Sequence, residues 1–189
     1  QSNVSVASGI ILTIQPGVQV KFDGNYQLKV DGTLNAQGTA GNEIVFTSNK
    51  TTPAALDWQN IYFTSTSGGS VMKYVKVEYS NYGIYEDGVS IPVENSVLQR
   101  NVYGVYLASN SSPLIKNNQI LLNTNSGIWL SGTGNSPVIQ NNDIYNNNYY
   151  GIVVYENATT PSNPVITNNS IYGHGYENLW VKCTSGDMS

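Results

Sequence analysis

Short repeats recur along this chain at nearly constant spacing, and they limit its fold more than any other feature. The unit Gly-apolar-x-apolar begins at Gly83, Gly104, Gly127 and Gly151, with a looser copy at Asn178. These first residues are 21, 23, 24 and 27 positions apart. Each unit is too short to bury an apolar face by itself, so neighbouring copies have to stack on one another.

A second unit lies between these copies. It reads PLIKNNQIL from Pro113, PVIQNNDIY from Pro137 and PVITNNSIY from Pro164, with PVENSVL from Pro92 as a shortened copy. Upstream, alternating patterns such as ILTIQPGVQVKF and NEIVFTS are separated by Gly and Asp-Gly turns, and no stretch has helical apolar spacing. The sequence therefore predicts an all-β fold, a parallel β-helix (solenoid) with roughly 20–27 residues per coil.

The repeats divide a single domain into three parts. Residues 57–182 carry the regular repeats, residues 1–56 are expected to form irregular N-terminal coils, and residues 183–189 form a tail. Neither end has the pattern of an amphipathic capping helix, although the open strand edges of a solenoid invite association. We therefore expect either a fragment of a longer chain with flanking domains or copies that stack end to end.

Two motifs carry a resemblance to a known family. Gly127-Ile-Trp-Leu and the Ile-x-Asn-Asn-x-Ile stretch from Ile139 resemble the repeat of right-handed parallel β-helix proteins of the pectin-lyase-like superfamily. The resemblance covers residues 60–181, and the opening segments resemble the first coils of secreted and cell-surface β-helix modules of bacteria and archaea. It implies a right-handed solenoid. It does not select a function, because the superfamily includes lyases, hydrolases, epimerases, adhesins and passive spacers.

Asparagines are frequent beside the apolar positions of the second unit. Equivalent residues of successive coils stack about 4.8 Å apart, and asparagine tolerates left-handed backbone angles and can bond the amide of the next coil. We predict a structural column two residues before the inward positions Val97, Ile120, Ile144 and Ile171. Its members are Asn95, Asn118, Asn142 and Asn169, and the neighbouring column contains Asn117, Asn141 and Asn168.

Outward-facing aromatic side chains form the main candidate for a binding site. Alternation along the first unit places one residue outward between two inward apolar positions; these outward residues are Tyr62, Tyr85, Tyr106, Trp129, Val153 and Trp180. A second, patchier row contains Leu98, Leu121, Tyr145 and Tyr172. Aromatic rings in a row on a flat sheet suit stacking on pyranose rings. The candidate ligand-binding residues are Tyr62, Tyr85, Tyr106, Trp129, Trp180, Tyr145 and Tyr172.

Two other interpretations of the aromatic row remain open. The rings can raise strand propensity and pack between coils, or another domain can cover them.

Charged residues are too sparse to indicate an active site. No two carboxylates fall in one column of adjacent coils, the acidic pair Glu86-Asp87 is assigned to a turn, and His174 is assigned to a loop. The nearest approach to a catalytic neighbourhood contains Arg100, Lys76, Glu78 and Glu94. Lyases of the resembled superfamily hold calcium with acidic residues, and hydrolases need paired carboxylates. We therefore predict no catalytic residues, no metal site and no cofactor.

The amino-acid composition limits the classes of partner that this protein can bind. The net charge of −4 and the absence of a basic stripe exclude nucleic-acid binding, and no apolar run is long enough for membrane insertion. A low-charge surface and Gln1 in place of Met favour a secreted or cell-surface protein. We predict a noncatalytic module that binds a polysaccharide or cell-surface glycan in adhesion. The alternatives are a polysaccharide lyase or glycoside hydrolase, and a structural unit that stacks into a fibre or surface layer.

Overall fold

The computed structural model describes residues 2–108, 110–156 and 160–183, and within these ranges it contains strands, turns and loops but no helix. Alternating residues in each repeat form short strands, and turns end each one. The strands in the first four coils are β1 (Val4–Val6), β2 (Ile11–Ile14), β3 (Gln19–Phe22), β4 (Leu28–Val30), β5 (Thr33–Gln37), β6 (Ile44–Ser48), β7 (Trp58–Phe63), β8 (Val71–Lys73), β9 (Val75–Glu78), β10 (Ser80–Glu86), β11 (Val93–Glu94) and β12 (Val97–Gln99).

The later coils continue the same three-strand pattern. Their strands are β13 (Tyr103–Leu107), β14 (Leu114–Lys116), β15 (Gln119–Leu121), β16 (Ile128–Ser131), β17 (Val138–Gln140), β18 (Asp143–Tyr145), β19 (Ile152–Glu156), β20 (Val165–Thr167), β21 (Ser170–Tyr172) and β22 (Leu179–Cys183). Of the predicted tail, residues 184–189 lie outside the described residues.

Every third strand pairs in parallel, which gives the molecule three sheets. Sheet A contains β1, β4, β7, β10, β13, β16, β19 and β22; sheet B runs from β2 through β5, β8, β11, β14 and β17 to β20; sheet C runs from β3 through β6, β9, β12, β15 and β18 to β21. The result is the predicted parallel solenoid, with about seven turns and roughly 24 residues per coil. The opening strands β1 to β6 belong to the same three sheets as the later repeats.

Apolar residues of the repeats fill the interior of the solenoid. Ile84, Val105, Ile128 and Ile152, all predicted to face inward, are 0% exposed. Each fully buried aliphatic side chain stabilises the fold by roughly 1.5–3 kcal/mol. Leu179 and Val181 were also predicted to be inward, but they are 46% and 41% exposed, because no further described coil packs against β22.

The coil that contains β12 departs from the predicted register by one residue. Leu98 pairs with Ile120 and is fully buried, while Val97 pairs with Gln119 and is partly exposed. The inward position of Val97 and the outward position of Leu98 were therefore wrong. The cause is the connection to β13, which is one residue shorter than the next, so that counting back from Gly104 shifts the strand.

Two neighbouring asparagine columns lie at the corner between sheets B and C, and they have different structural roles. The first column has left-handed backbone angles, at Tyr74, Asn95, Asn117, Asn141 and Asn168. The second column forms a hydrogen-bonded ladder of Ser96, Asn118, Asn142 and Asn169, in which each backbone N–H donates to the side-chain oxygen of the next coil. Asn95 was predicted for the second column and belongs to the first, because of the same register shift.

A second ladder, which the sequence pattern did not reveal, holds the corner between sheets C and A. Asn101 donates to Asn123 at 3.0 Å, Asn123 donates to Asn147 at 3.0 Å, and the N–H of Asn147 donates to Nδ1 of His174 at 3.2 Å. The amide side chains also donate to carbonyls of the preceding coil. His174, which was assigned to a loop, therefore ends this asparagine column. Because burial disfavours the charged imidazolium, the pKa of His174 is lowered.

Both ends of the described solenoid expose apolar side chains. At the first coil, a cavity of about 440 Å³ is lined by residues that include Ile14, Val20, Phe22 and Leu28. At the last coil, Val165, Leu179 and Val181 are 41–50% exposed. The strand edges at both ends are unpaired among the described residues.

Candidate functional site

The outer face of sheet A carries the central row of aromatic residues predicted from the sequence. Tyr62, Tyr85, Tyr106 and Trp129 are direct register partners on β7, β10, β13 and β16. Trp180 on β22 continues the row after Val153. All five rings are partly exposed. The structure therefore brings these predicted residues together on one face, where their rings line up along the solenoid axis.

The first three rings of the central row are in contact with one another along the row. The centroids of Tyr62 and Tyr85 lie 4.9 Å apart in a stacked arrangement, and those of Tyr85 and Tyr106 lie 5.2 Å apart edge to face. Both arrangements are favourable for aromatic rings. The row is therefore stiffened by its own contacts, and it still leaves ring surface open to solvent.

Tyr82 and Tyr103 form a second aromatic row that the sequence pattern did not predict. They pair with one another across β10 and β13, and their ring centroids lie 5.3 Å apart. Tyr82 also contacts Tyr106 at 4.6 Å, and Tyr103 contacts Trp129 at 5.6 Å. Strict alternation would turn Tyr82 inward with Ile84. The register shift between these two residues turns Tyr82 outward instead.

The backbones of successive coils approach closely at the repeat glycines. A Cβ atom on Gly127 would lie 2.7 Å from the carbonyl oxygen of Gly151 and 2.9 Å from Cγ2 of Ile144. Gly83, Gly104 and Gly151 are equally crowded by the next coil. The residue type at this column is therefore set by packing between coils.

Further aromatic residues extend the face at its C-terminal end. Tyr150 stacks on Trp180 at 5.1 Å, and Tyr176 stacks on Tyr149 at 5.2 Å. Tyr155 lies 6.1 Å from Trp129. The Tyr-Gly dipeptide is the sequence signal for Tyr82, Tyr103 and Tyr150. We define the aromatic face as the following rings: Tyr62, Tyr82, Tyr85, Tyr103, Tyr106, Trp129, Tyr149, Tyr150, Tyr155, Tyr176 and Trp180.

Val153 does not interrupt the aromatic face. It was predicted to face solvent, but it is 0% exposed. The rings of Trp129 and Trp180, on the two strands that flank Val153, lie 6.4 Å apart, and Tyr155 contacts both of them. The small Val153 side chain lets the indoles on either side approach one another. The prediction that Val153 is exposed to solvent was therefore wrong.

Tyr145 and Tyr172 lie apart from the aromatic face, on sheet C. Their rings stack at 5.4 Å with an interplanar angle of 6°. The other two members of the predicted second row are buried: Leu98 faces the interior, and Leu121 is 8% exposed. The second row is therefore a single tyrosine pair, and the predicted ligand-binding residues fall on two different sheets.

A polar column borders the aromatic face where the strands of sheet A end. Asp31, Thr64 and Asp87 occupy successive coils, since the N–H of Thr64 bonds the carbonyl of Val30 and that of Asp87 bonds the carbonyl of Phe63. The Tyr62 hydroxyl donates to Oδ2 of Asp87 at 3.0 Å, and the Thr64 hydroxyl donates to Oδ1 of Asp31 at 2.9 Å. Carboxylates therefore lie directly beside the rings.

This column influences the ionisation of the tyrosines. Burial, followed by the charge of Asp87, raises the pKa of Tyr85 to about 12. Burial and the hydrogen bond to Asp87 also raise the pKa of Tyr62. Both phenols therefore remain neutral hydrogen-bonding groups at physiological pH.

The nearest approach to a catalytic neighbourhood is divided between sheets. Nζ of Lys76 lies 3.0 Å from Oε2 of Glu78, whose two oxygens also accept bonds from Thr47 and Gln99. Arg100 donates to the hydroxyl of Tyr79 at 3.2 Å. Glu94 belongs to sheet B, whereas Lys76 and Glu78 belong to sheet C. The structure therefore brings Lys76 and Glu78 together, whereas Glu94 lies on a different sheet.

Glu86 lies in the interior and not in the predicted turn. It is the last residue of β10, pairs with Phe63 and Leu107, and is 0% exposed. Its Oε2 accepts the N–H of Ile91 at 3.0 Å, while Oε1 has no hydrogen-bond partner among the described residues. Burial raises the pKa of Glu86 well above its usual range. The assignment of Glu86 to a turn was wrong, because alternation along β10 turns it inward.

Two general properties complete the description of possible sites. Within the described residues, no group of three or more His, Cys, Asp or Glu side chains is placed to hold a metal ion. The same part of the chain contains no helix that is long and apolar enough to cross a membrane.

The three parallel sheets with stacked corners define the class of this molecule as a parallel β-helix protein. Residues 35–189 match the right-handed beta helix region family, and because this match spans most of the chain, the protein belongs to that family. The membership agrees with the resemblance to pectin-lyase-like repeats. Neither the comparison with curated proteins nor that with solved structures found a match.

Proposed function

We propose that this protein is a noncatalytic, extracellular β-helix module that binds a polysaccharide or cell-surface glycan in adhesion. The observation that supports the proposal most is the aromatic face, a contiguous set of exposed and partly exposed rings on and beside sheet A. Pyranose rings present apolar C–H faces that stack on such planes, and the phenol and indole groups supply hydrogen bonds at the ring edges.

The aromatic contacts bear on the alternative that the rings only stabilise the strands. Rings that only stabilised the strands would be expected to bury their surfaces against one another. Here Tyr62, Tyr85 and Tyr106 touch and still remain partly exposed, and Tyr149 and Tyr176 are 40% and 67% exposed. Exposed aromatic surface gathered in one place is typical of interaction sites. The proposal therefore assigns to these rings a task beyond holding coils together.

The charged groups support a binding role more than a catalytic one. Glu78 is engaged by Lys76, Thr47 and Gln99, and Glu86 is enclosed in the core. Glycoside hydrolysis needs two carboxyl groups that face a shared substrate at a separation of roughly 5–10 Å. Asp31 and Asp87 lie in one column along the same border of the rings.

Trp129→Ala tests the proposed function. Trp129 lies in the middle of the face and contacts Tyr103, Tyr155 and Trp180, so its loss should weaken binding by about 1–2 kcal/mol, or about tenfold. The measurement is affinity electrophoresis in gels that contain each of a set of polysaccharides, with circular dichroism to show that the fold is kept.

Two further variants act as controls for this experiment. Trp129→Phe keeps an aromatic plane and should retain most of the binding. Tyr172→Ala removes an exposed ring from sheet C and should leave retention unchanged. Unaltered retention of the Trp129→Ala protein on every retaining polysaccharide would contradict the proposal, and a loss in Tyr172→Ala alone would move the site to sheet C.

A further inference from the structure

The charges around the aromatic face are predominantly negative at its N-terminal end. Asp31 and Asp87 lie in the polar column that borders the rings, and Asp87 accepts the hydroxyl of Tyr62. The cation at this end, Lys29, precedes Tyr62 in the central row of sheet A. Nζ of Lys29 lies 2.9 Å from Oδ2 of Asp31, so these two opposite charges offset one another and Asp87 leaves this end with a net negative charge.

At the other end of the face, the cation is held by the rings themselves. Nζ of Lys182 lies 5.5 Å from the ring centroid of Tyr155 and 6.0 Å from that of Trp180. In such cation–π contacts, the ammonium group is attracted to the faces of the aromatic rings. Glu177, which is exposed, follows Tyr176 in the sequence at the same end. Among the described residues, the C-terminal end therefore carries both a cation, Lys182, and a carboxylate, Glu177.

The rings between these two ends carry polar groups without charge. Tyr62, Tyr82, Tyr85 and Tyr103 all have a raised pKa, caused first by burial, and for Tyr62 and Tyr85 the nearby Asp87 adds to it. The middle of the face thus combines neutral phenols, an indole and apolar ring planes. Such a surface favours hydroxyl-rich, uncharged ligands, because an anion placed there would lose water and approach the carboxylate of Asp87.

We infer that the ligand of the aromatic face is an uncharged, extended glycan, and that the face discriminates against polyanionic glycans such as polyuronates. This inference rests on the proposed function. Asp87 is its specificity-determining residue, since it places a negative charge beside Tyr62 and Tyr85. The central row runs from β7 to β22 across five strand spacings, about 24 Å, so a linear chain parallel to the solenoid axis can contact successive rings.

Pairs of polymers with one backbone and different charge provide the test. Hydroxyethylcellulose is compared with carboxymethylcellulose, and fully methyl-esterified pectin with polygalacturonate, by affinity electrophoresis of the intact chain. In each pair that retains the protein, retention on the neutral member should be at least about fivefold stronger at low salt. Raising the salt from about 20 mM to about 500 mM should reduce the difference, because screening weakens charge repulsion.

The variant Asp87→Asn identifies the residue responsible. It keeps the size of the side chain and removes one negative charge, so the preference for the neutral polymer should disappear while its retention persists. Circular dichroism of this variant and its unchanged retention on the neutral polymer show that it folds. Equal or stronger retention of the wild type on the charged members would overturn the inference and leave glycan binding intact. Absence of retention on all four polymers and on the wider set would overturn the proposed function together with the inference.

Discussion

Single residues at the corners of this solenoid bear a backbone cost that varies from coil to coil. The corner between sheets C and A has left-handed angles at Tyr79, Arg100, Leu122 and Asn146, and at Gly173 in the last coil. Left-handed backbone is costly for most side chains, whereas glycine adopts it freely and asparagine tolerates it. The same geometry is therefore accommodated well by Asn146 and Gly173 and poorly by Leu122.

Replacing Leu122 by asparagine should stabilise the protein. Leu122 has a φ of 55° and is 41% exposed, so the change relieves backbone strain and removes little buried apolar surface. We expect a gain of about 0.5–1 kcal/mol in the free energy of unfolding, measured by urea denaturation. The matched control, Asn146→Leu, reverses the chemistry at the equivalent position of the next coil and should destabilise. If both variants shift stability in the same direction, strain at this column is not the cause.

At the scale of elements, the corners hold the three sheets together through hydrogen-bonded side-chain ladders. The side chain of Asn118 is 1% exposed, accepts the N–H of Ser96, and donates to Oδ1 of Asn142 and to the carbonyl of Val93. Buried groups left without such partners cost about 1–3 kcal/mol each. The ladders therefore satisfy backbone groups where the strands of one sheet end and those of the next begin.

Adjacent asparagines with different tasks allow a direct test of this division. Asn117→Gly keeps the left-handed angle of 57° and should change stability by less than about 0.5 kcal/mol. Asn118→Gly removes the ladder bonds and should lower the free energy of unfolding by about 2–4 kcal/mol. Urea denaturation of both variants provides the comparison. A similar loss in both would mean that the two columns are not separate in function.

For the whole molecule, the buried carboxyl of Glu86 makes stability depend on pH. The pKa of Glu86 is raised above the usual 4.5 by burial. Above about pH 4.5, this carboxyl therefore keeps its proton in the folded state and loses it in the unfolded chain. The contribution of this group is complete below that pH, and the free energy of unfolding falls as the pH rises towards the folded-state pKa.

Glu86→Gln should remove this part of the pH dependence. The variant cannot ionise, so its unfolding midpoint should exceed that of the wild type at neutral pH, and the difference should shrink as the pH approaches about 4.5. Thermal unfolding across this range measures the effect. The exposed Glu43→Gln variant is the control and should follow the wild type. Parallel pH profiles for the Glu86→Gln and wild-type proteins would show that the buried carboxyl is not the source.

The ends of the solenoid bear on assembly. The first coil has an apolar cavity, and the last described coil exposes Val165, Leu179 and Val181. End-to-end stacking, which the sequence suggested as an alternative, stays a prediction. Stacking copies would bury these apolar residues and pair the free strand edges. Sedimentation velocity over a range of concentrations should then show a sedimentation coefficient that rises with concentration, whereas a constant monomer value would contradict stacking.

The repeats by themselves determined the strand pattern, the parallel solenoid, the inward residues such as Ile128 and Ile152, and the central row from Tyr62 to Trp180. These follow from local alternation and from spacing that neighbouring coils must share, and both are visible in a linear sequence. The aromatic row was predictable as a set of outward positions for the same reason.

Only the tertiary structure decided which residue stacks on which where a coil changes length. The shorter connection before Gly104 placed Leu98 inside and Asn95 in the left-handed column. The register shift in β10 turned Tyr82 outward. Trp129 and Trp180, on the strands that flank Val153, covered that residue. The charges beside the aromatic face likewise come from Asp31 and Asp87, whose proximity arises from coil stacking. The physical reason is that contacts between coils depend on register and loop length, which local alternation does not record.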